Sequence, residues 1–246
     1  MPTPSFLAGQ AYAVDPGTHS YNNLYGGPTI ALIVDVLGKS NPSGVTYNGV
    51  AMTLAMAYAY TDSFFLESYY LLHPPVGTYN IVVSGAGDGA VHARTYKNVK
   101  SSSPIGNTAS AENTAVLNTP EVTVPSDVTE LVLCASAHEG RLTNNMTPAS
   151  GQTERLESAS GFSDTGLMTG DEAGATSVAT GRWNGANYLT GTNNGTIAYG
   201  LKYGASGGAQ ILIMATRRWQ EFMRDLKHGL VPPDTLRRRY RELVTI

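Results

Sequence analysis

Gly204-Ala-Ser206-Gly-Gly208 has the glycine spacing of a hydrolase nucleophile elbow, where a strand-to-helix turn exposes a serine hydroxyl to a histidine base. That chemistry needs a helix after the serine, then an acid and a histidine. Here residues 209–215 read as another strand, and His228 is the sole later histidine. The residues favour a glycine hairpin. Asp164-Thr-Gly166 matches the aspartic-protease triplet, whose chemistry needs two facing carboxylates sharing a proton. The chain has no second copy of it, and the preceding Ser160-Gly-Phe-Ser is no buried strand, so a loop is expected. Gly85-Ala-Gly-Asp-Gly89 lacks the glycine spacing and following helix of a dinucleotide fingerprint and reads as a turn.

The five histidines, His19, His73, His92, His138 and His228, form no HxH or HxxxH pair. His138 and Glu139 are adjacent, which on a strand points them to opposite faces. No metal ligand set, catalytic group or cofactor is therefore expected. Asp171-Glu172 reads as a pair of solvated loop carboxylates, with a structural calcium ion as the alternative. Cys134 is the only cysteine, so no intramolecular disulfide can form. Its alternating neighbours place it on a half-buried strand as a small apolar residue. The sequons Asn145-Met-Thr and Asn194-Gly-Thr carry no weight, because the N-terminal residues show neither a basic region nor an apolar run of signal-peptide length.

The side chains best suited to a partner lie at the far end. Trp219, Phe222, Met223 and Leu226 sit at i, i+3, i+4 and i+7, one face of a helix. Gly229 and Pro232-Pro233 end it, and Asp234 can cap a second helix with the apolar face Leu236, Tyr240, Leu243 and Val244. Around them stand Arg217, Arg218, Arg237, Arg238 and Arg239. Tryptophan and arginine are typical interface anchors, and an amphipathic helix in a groove would use them so. Packing on the chain's own sandwich is the competing reading. Nucleic acid is disfavoured, since no base-stacking or base-reading chemistry accompanies Arg237-Arg-Arg239.

Residues 1–216 supply strands to carry such a segment. The run 30–37 is rich in β-branched residues, 45–47 and 50–54 flank an Asn48-Gly49 hairpin signal, and 64–72 is aromatic. Further strands are expected at 79–83, 91–96, 121–124, 130–137, 176–183 and 196–203. About ten short strands without helical periods predict an all-β fold, an antiparallel β-sandwich of jelly-roll or immunoglobulin-like type. It would form one domain over 1–216, with a two-helix appendage over 217–246. No fixed-period repeat is present, which excludes a propeller or solenoid.

Composition agrees. Only 14% of the 246 residues are charged and 27 are glycine, a turn-rich profile that excludes helical bundles and coiled coils. The net charge of −3 excludes whole-chain nucleic-acid binding. It averages two unlike parts: 217–246 has eight basic and four acidic residues, a net of +4, and 1–216 a net of −7. No apolar stretch is long enough to span a bilayer.

Val45-Thr-Tyr-Asn-Gly-Val-Ala-Met-Thr, followed by Tyr69-Tyr-Leu-Leu-His-Pro-Pro-Val-Gly-Thr-Tyr-Asn-Ile-Val-Val, resembles a β-sandwich family of bacteriophage virion and bacterial surface proteins. That family pairs a "VTYNGVALT"-like hairpin with a "YLLNPPAGT"-like strand. Residues 151–161 and 174–183 resemble its second half, so the resemblance spans about 5–216. It carries no catalytic residues, and 217–246 has no counterpart in it. The resemblance implies a non-enzymatic virion structural protein: a capsid decoration or cement protein, or an accessory head-tail or fibre component. Such a protein would be made in the host cytoplasm and form a homo-oligomer, with a trimer in view. Its other partners would be a major capsid protein or a head-tail or fibre component. A carbohydrate-binding or adhesive module is the alternative, with Tyr58, Tyr60, Phe64, Phe65, Tyr69 and Tyr70 as sugar-stacking candidates.

Overall fold

The computed structural model describes residues 3–12, 17–60, 64–114, 118–139, 146–159, 165–184 and 193–204. All lie in the compact unit Met1–Gly204. The strand expected at 209–215 and the helices expected over 217–246 lie outside the described residues.

Every regular element described is a β-strand, and all pairings between strands are antiparallel. The first half contains β1 (Ser5–Tyr12), β2 (Thr18–Asn23), β3 (Ala31–Gly38), β4 (Gly44–Tyr47), β5 (Val50–Ala51), β6 (Thr53–Ala59), β7 (Phe65–Leu72), β8 (Gly77–Ser84) and β9 (Gly89–Lys97). The second contains β10 (Ile105–Thr114), β11 (Val122–Val124), β12 (Leu131–Glu139), β13 (Thr147–Pro148), β14 (Thr153–Ala159), β15 (Thr165–Ala173), β16 (Val178–Thr180), β17 (Trp183–Asn184) and β18 (Asn193–Leu201).

The two halves repeat one topology. The first builds a five-stranded sheet, β1-β9-β3-β7-β6, and a four-stranded sheet, β2-β8-β4-β5. The second builds β10-β18-β12-β15-β14, with the pairs β11-β16 and β13-β17 in place of the four-stranded sheet. Even the irregularities coincide. A register shift falls on β6 opposite Tyr69 and Ser68, and on β14 opposite Gly170 and Thr169. Strand registers make those rungs equivalent when β3 is laid on β12, Ala31 on Leu131. The sequence shows no such repeat, because a shared topology needs only matching patterns of burial and turns, not matching residues.

Strand β3 is buried along its whole length, and its two faces serve different cores. Leu32, Val34 and Val36 pack with Val45, Tyr47 and Ile81 beneath the four-stranded sheet. Ala31, Ile33 and Leu37 pack against the other half, with Leu131, Leu133, Ala135 and Tyr199. The two five-stranded sheets therefore lie face to face, the first covered on its outer side by the four-stranded sheet and the second by the two strand pairs. Contacts of β1 with β14 and of β9 with β15 recur as β10 with β6 and β18 with β7, a pseudo-two-fold relation. Burial on both faces explains why 30–37 is apolar at every position but Asp35 rather than alternating.

The same layering corrects three expectations. Cys134 is fully buried rather than half-buried, because β12 is sandwiched on both sides. Asp171-Glu172 is not a loop but part of β15, a strand whose glycines hid it in the sequence. The strand expected over 176–183 is broken at Gly181, whose φ of 85° ends β16 before β17 begins. The Asn48-Gly49 turn forms as expected, with φ of 51° and 74° and Tyr47 paired to Val50.

Candidate functional site

All twelve partner-anchor candidates in the terminal segment, from Arg217 to Leu243, lie outside the described residues. So do Ser206, Asp164, Asn145 and His228. Gly85 and Gly87, with φ of 81° and 66°, form the expected turn between β8 and β9. None of the six aromatic candidates is exposed: Tyr60, Phe64 and Tyr69 are buried, and Tyr58, Phe65 and Tyr70 are half-buried. Burial pushes the Cys134 thiol up to about 11, which keeps it protonated. Among the described residues, no group of three His, Cys, Asp or Glu side chains could hold a metal ion.

The structure brings together two polar constellations that the sequence reading missed. The first lies between the two five-stranded sheets. Asp35 on β3 and Arg94 on β9 are both fully buried, and Arg94 donates from Nε and Nη2 to Asp35 Oδ2 at 3.0 and 2.7 Å. Arg94 Nη1 crosses the layer to donate to the Gly170 carbonyl at 3.0 Å. Tyr96 donates to Asp171 Oδ2 at 3.1 Å, and Arg155 grips both Asp171 oxygens at 2.6 and 2.8 Å. Burial, the largest single influence, would lower Arg94, but Asp35 together with Tyr96, Tyr199 and Cys134 outweighs it and holds the guanidinium charged. Beside this chain, His92 shares hydrogen bonds with Thr169 Oγ1 at 3.1 Å and Ser158 Oγ at 2.8 Å. Burial, then the charge of Arg94, pushes its pKa well below the ordinary value. Removing one partner of such a buried pair costs about 3–5 kcal/mol. The bonds that cross from one half to the other are those of Arg94 to Gly170, Tyr96 to Asp171 and His92 to Thr169 and Ser158.

The second constellation is accessible. Where the chain passes from β5 to β6 it leaves one sheet of the first half for the other, and a groove of about 660 Å³ opens beside the crossing. Val45, Ala51, Met52 and Leu54 form its apolar wall, and Asn41, Ser43, Thr46 and Ser84 lie along it. Glu67 and Tyr69, alternate residues of β7, line the same groove. Glu67 is only 5% exposed, and its carboxylate accepts the Tyr69 hydroxyl. Burial raises Glu67 above its ordinary value despite the opposing Tyr69 hydrogen bond. Burial, reinforced by that carboxylate, raises Tyr69. The signal available in sequence was an acid inside the apolar run Phe64-Phe-Leu-Glu-Ser-Tyr-Tyr-Leu-Leu.

The second half treats the same position differently. Glu67 pairs with Val36 across the sheet, and the equivalent rung pairs Met168 with Ser136. Met168 is fully buried against Met146 and Trp183. Trp183 is held there by the kink at Gly181, whose carbonyl accepts hydroxyls from Thr119, Ser136 and Thr196 at 2.6, 2.8 and 3.1 Å.

No family model, curated protein or solved structure matches this chain. Its function must be argued from the molecule. The four-stranded sheet adds one more surface to that argument. Its outer face presents Thr18, Ser20, Asn22, Thr78, Asn80 and Ser84, all exposed, with no charged side chain among its strand residues.

Proposed function

We propose that this chain is a non-enzymatic structural protein of a bacteriophage virion, a capsid decoration or cement protein or an accessory head-tail or fibre component. The observation that carries this reading is the repeated strand order. With β1, β9, β3 and β7 in one sheet and β2, β8, β4 and β5 in the other, the first half has the double-sheet arrangement of a jelly roll, a fold used by capsid and lectin domains. A second set of the same order stacks behind it. Two such units joined by a buried layer of apolar side chains and cross-layer hydrogen bonds suit a part that bears load rather than one that turns over substrate. The hydroxyl- and amide-bearing outer face suits a surface that must stay soluble at low charge.

In this reading the basic amphipathic residues 217–246 dock onto a capsid, head-tail or fibre protein, and the chain forms a homo-oligomer. Deleting residues 217–246 leaves a folded protein that no longer incorporates into particles. Particle incorporation, measured by co-sedimentation, tests this: full retention of the truncated chain overturns the docking role. Solution mass by light scattering tests the oligomer.

A further inference from the structure

We propose that the groove between β5, β6 and β7 is a receptor for one lysine or arginine side chain presented by a protein partner. Three observations carry this. Among the described residues Glu67 is the only charged one lining the groove, so the site repels anions and attracts cations. Among the described residues no basic group pairs with Glu67, whose one hydrogen-bond partner is the neutral Tyr69 hydroxyl. Glu67, 5% exposed and with no counter-ion among the described residues, offers its carboxylate to a cation that enters the groove. The walls then choose among cations. Met52, Leu54 and Ala51 line the same groove as Glu67, with Leu54 48% exposed, a surface that suits a (CH₂)₃ or (CH₂)₄ stem ending in a charged head.

The duplicate half supplies an internal control. At the rung equivalent to Glu67 it places Met168, closed over by Met146 and Trp183, so this topology does not need an acid or a groove there. The net charge of −7 over residues 1–216 adds a longer-range attraction for a basic partner. This proposal stands apart from the virion reading, since the groove would take such a side chain in any assembly.

The test is titration of the full chain with the blocked tripeptides acetyl-Gly-Arg-Gly-amide and acetyl-Gly-Lys-Gly-amide, followed by amide chemical shifts. The glutamine tripeptide and N-acetylglucosamine serve as comparisons. Saturable shifts at Ala51, Leu54 and Tyr69 are expected with a basic peptide and absent with the glutamine peptide. Glu67→Gln should weaken binding at least about tenfold, the loss of one charged contact of about 1.4 kcal/mol. Ala51→Arg, which leaves Glu67 intact and tethers a guanidinium at the rim, should block the peptide by occupying the site. If Glu67→Gln does not fold, the Ala51→Arg result alone decides. Equal binding of the glutamine peptide, binding of N-acetylglucosamine in place of the basic peptides, or peptide binding undiminished in Ala51→Arg overturns the proposal.

Discussion

His92 is a neutral group locked between two hydroxyls inside the stacked sheets, and its lowered pKa makes it a pH liability. The unfolded chain protonates this histidine near 6.5, and the folded chain resists. Below that pH the unfolded state binds more protons, so the stability contributed above 6.5 is lost progressively as pH falls toward the folded pKa. The loss is about 1.4 kcal/mol per pH unit in that window. Urea unfolding at pH 7.5, 6.5 and 5.5 should show the loss setting in below 6.5 in the native chain and a flatter profile in His92→Gln. Parallel slopes would place the acid sensitivity elsewhere. The buried carboxyl Glu67 works in the opposite sense: its pKa is raised, so its contribution is present below its ordinary value and lost as pH rises through the folded one. Comparing the native chain with His92→Gln cancels that term.

At the scale of the strand, the four outermost strands of the two five-stranded sheets, β1, β6, β10 and β14, each carry a register shift. The inner ladders of β3 and β12 carry none. Bulges bend an edge and interrupt the row of free backbone groups that would otherwise recruit a neighbouring chain. Strand β6, Thr-Leu-Ala-Met-Ala-Tyr-Ala, has no charge to do this job, so the bulge at Leu54–Met56 stands in for one. Close approach between the layers is just as local. A Cβ on Gly195 of β18 would fall 1.6 Å from Tyr60 Cε1, in the other half. Gly195→Ala should therefore cost about 1–3 kcal/mol in urea unfolding. The additional substitution Tyr60→Leu should recover part of it, and an unchanged midpoint in the single variant would refute the contact.

These strands also show what the sequence could and could not disclose. The hairpin at Asn48-Gly49, the aromatic strand at 64–72 and the buried run at 30–37 were legible because turn chemistry and β-branched clusters are local signals. Strands β1, β2, β10, β14 and β15 were not, because Thr, Ser, Gly and Ala fill them and polar residues lie on faces that the fold buries. Arg94, His92 and Asp171 look like surface residues in sequence. Only the stacking of one half on the other makes them interior. Glu67 was hidden for the converse reason: an acid in an apolar run gives no sign of whether a groove opens beside it.

At the scale of the molecule, the interlayer makes the two halves interdependent. Ile33, Tyr96, Leu133, Tyr199 and Leu201 would all face water if either half stood alone. Fully burying each such side chain contributes about 1.5–3 kcal/mol, so neither half should hold a fixed structure by itself. Residues 1–100 and 101–246, expressed separately, should each give poorly dispersed amide spectra. Co-expressed, they should form one complex with dispersed signals. A well-dispersed spectrum from either alone would show that the stack is an accessory rather than the foundation.

The repeat is nevertheless imperfect, and its imperfection has a geometric consequence. One outward side of the described body is a four-stranded, uncharged sheet with an open groove at its margin. The other carries two short strand pairs, and its counterpart of the groove is packed shut. A molecule with true two-fold symmetry has no front or back and meets its copies head to head. This one has the skeleton of such a molecule but an arrow drawn through it. Copies that contact one another through the two unlike sides must do so front to back, the kind of joint that closes into rings or extends into lines.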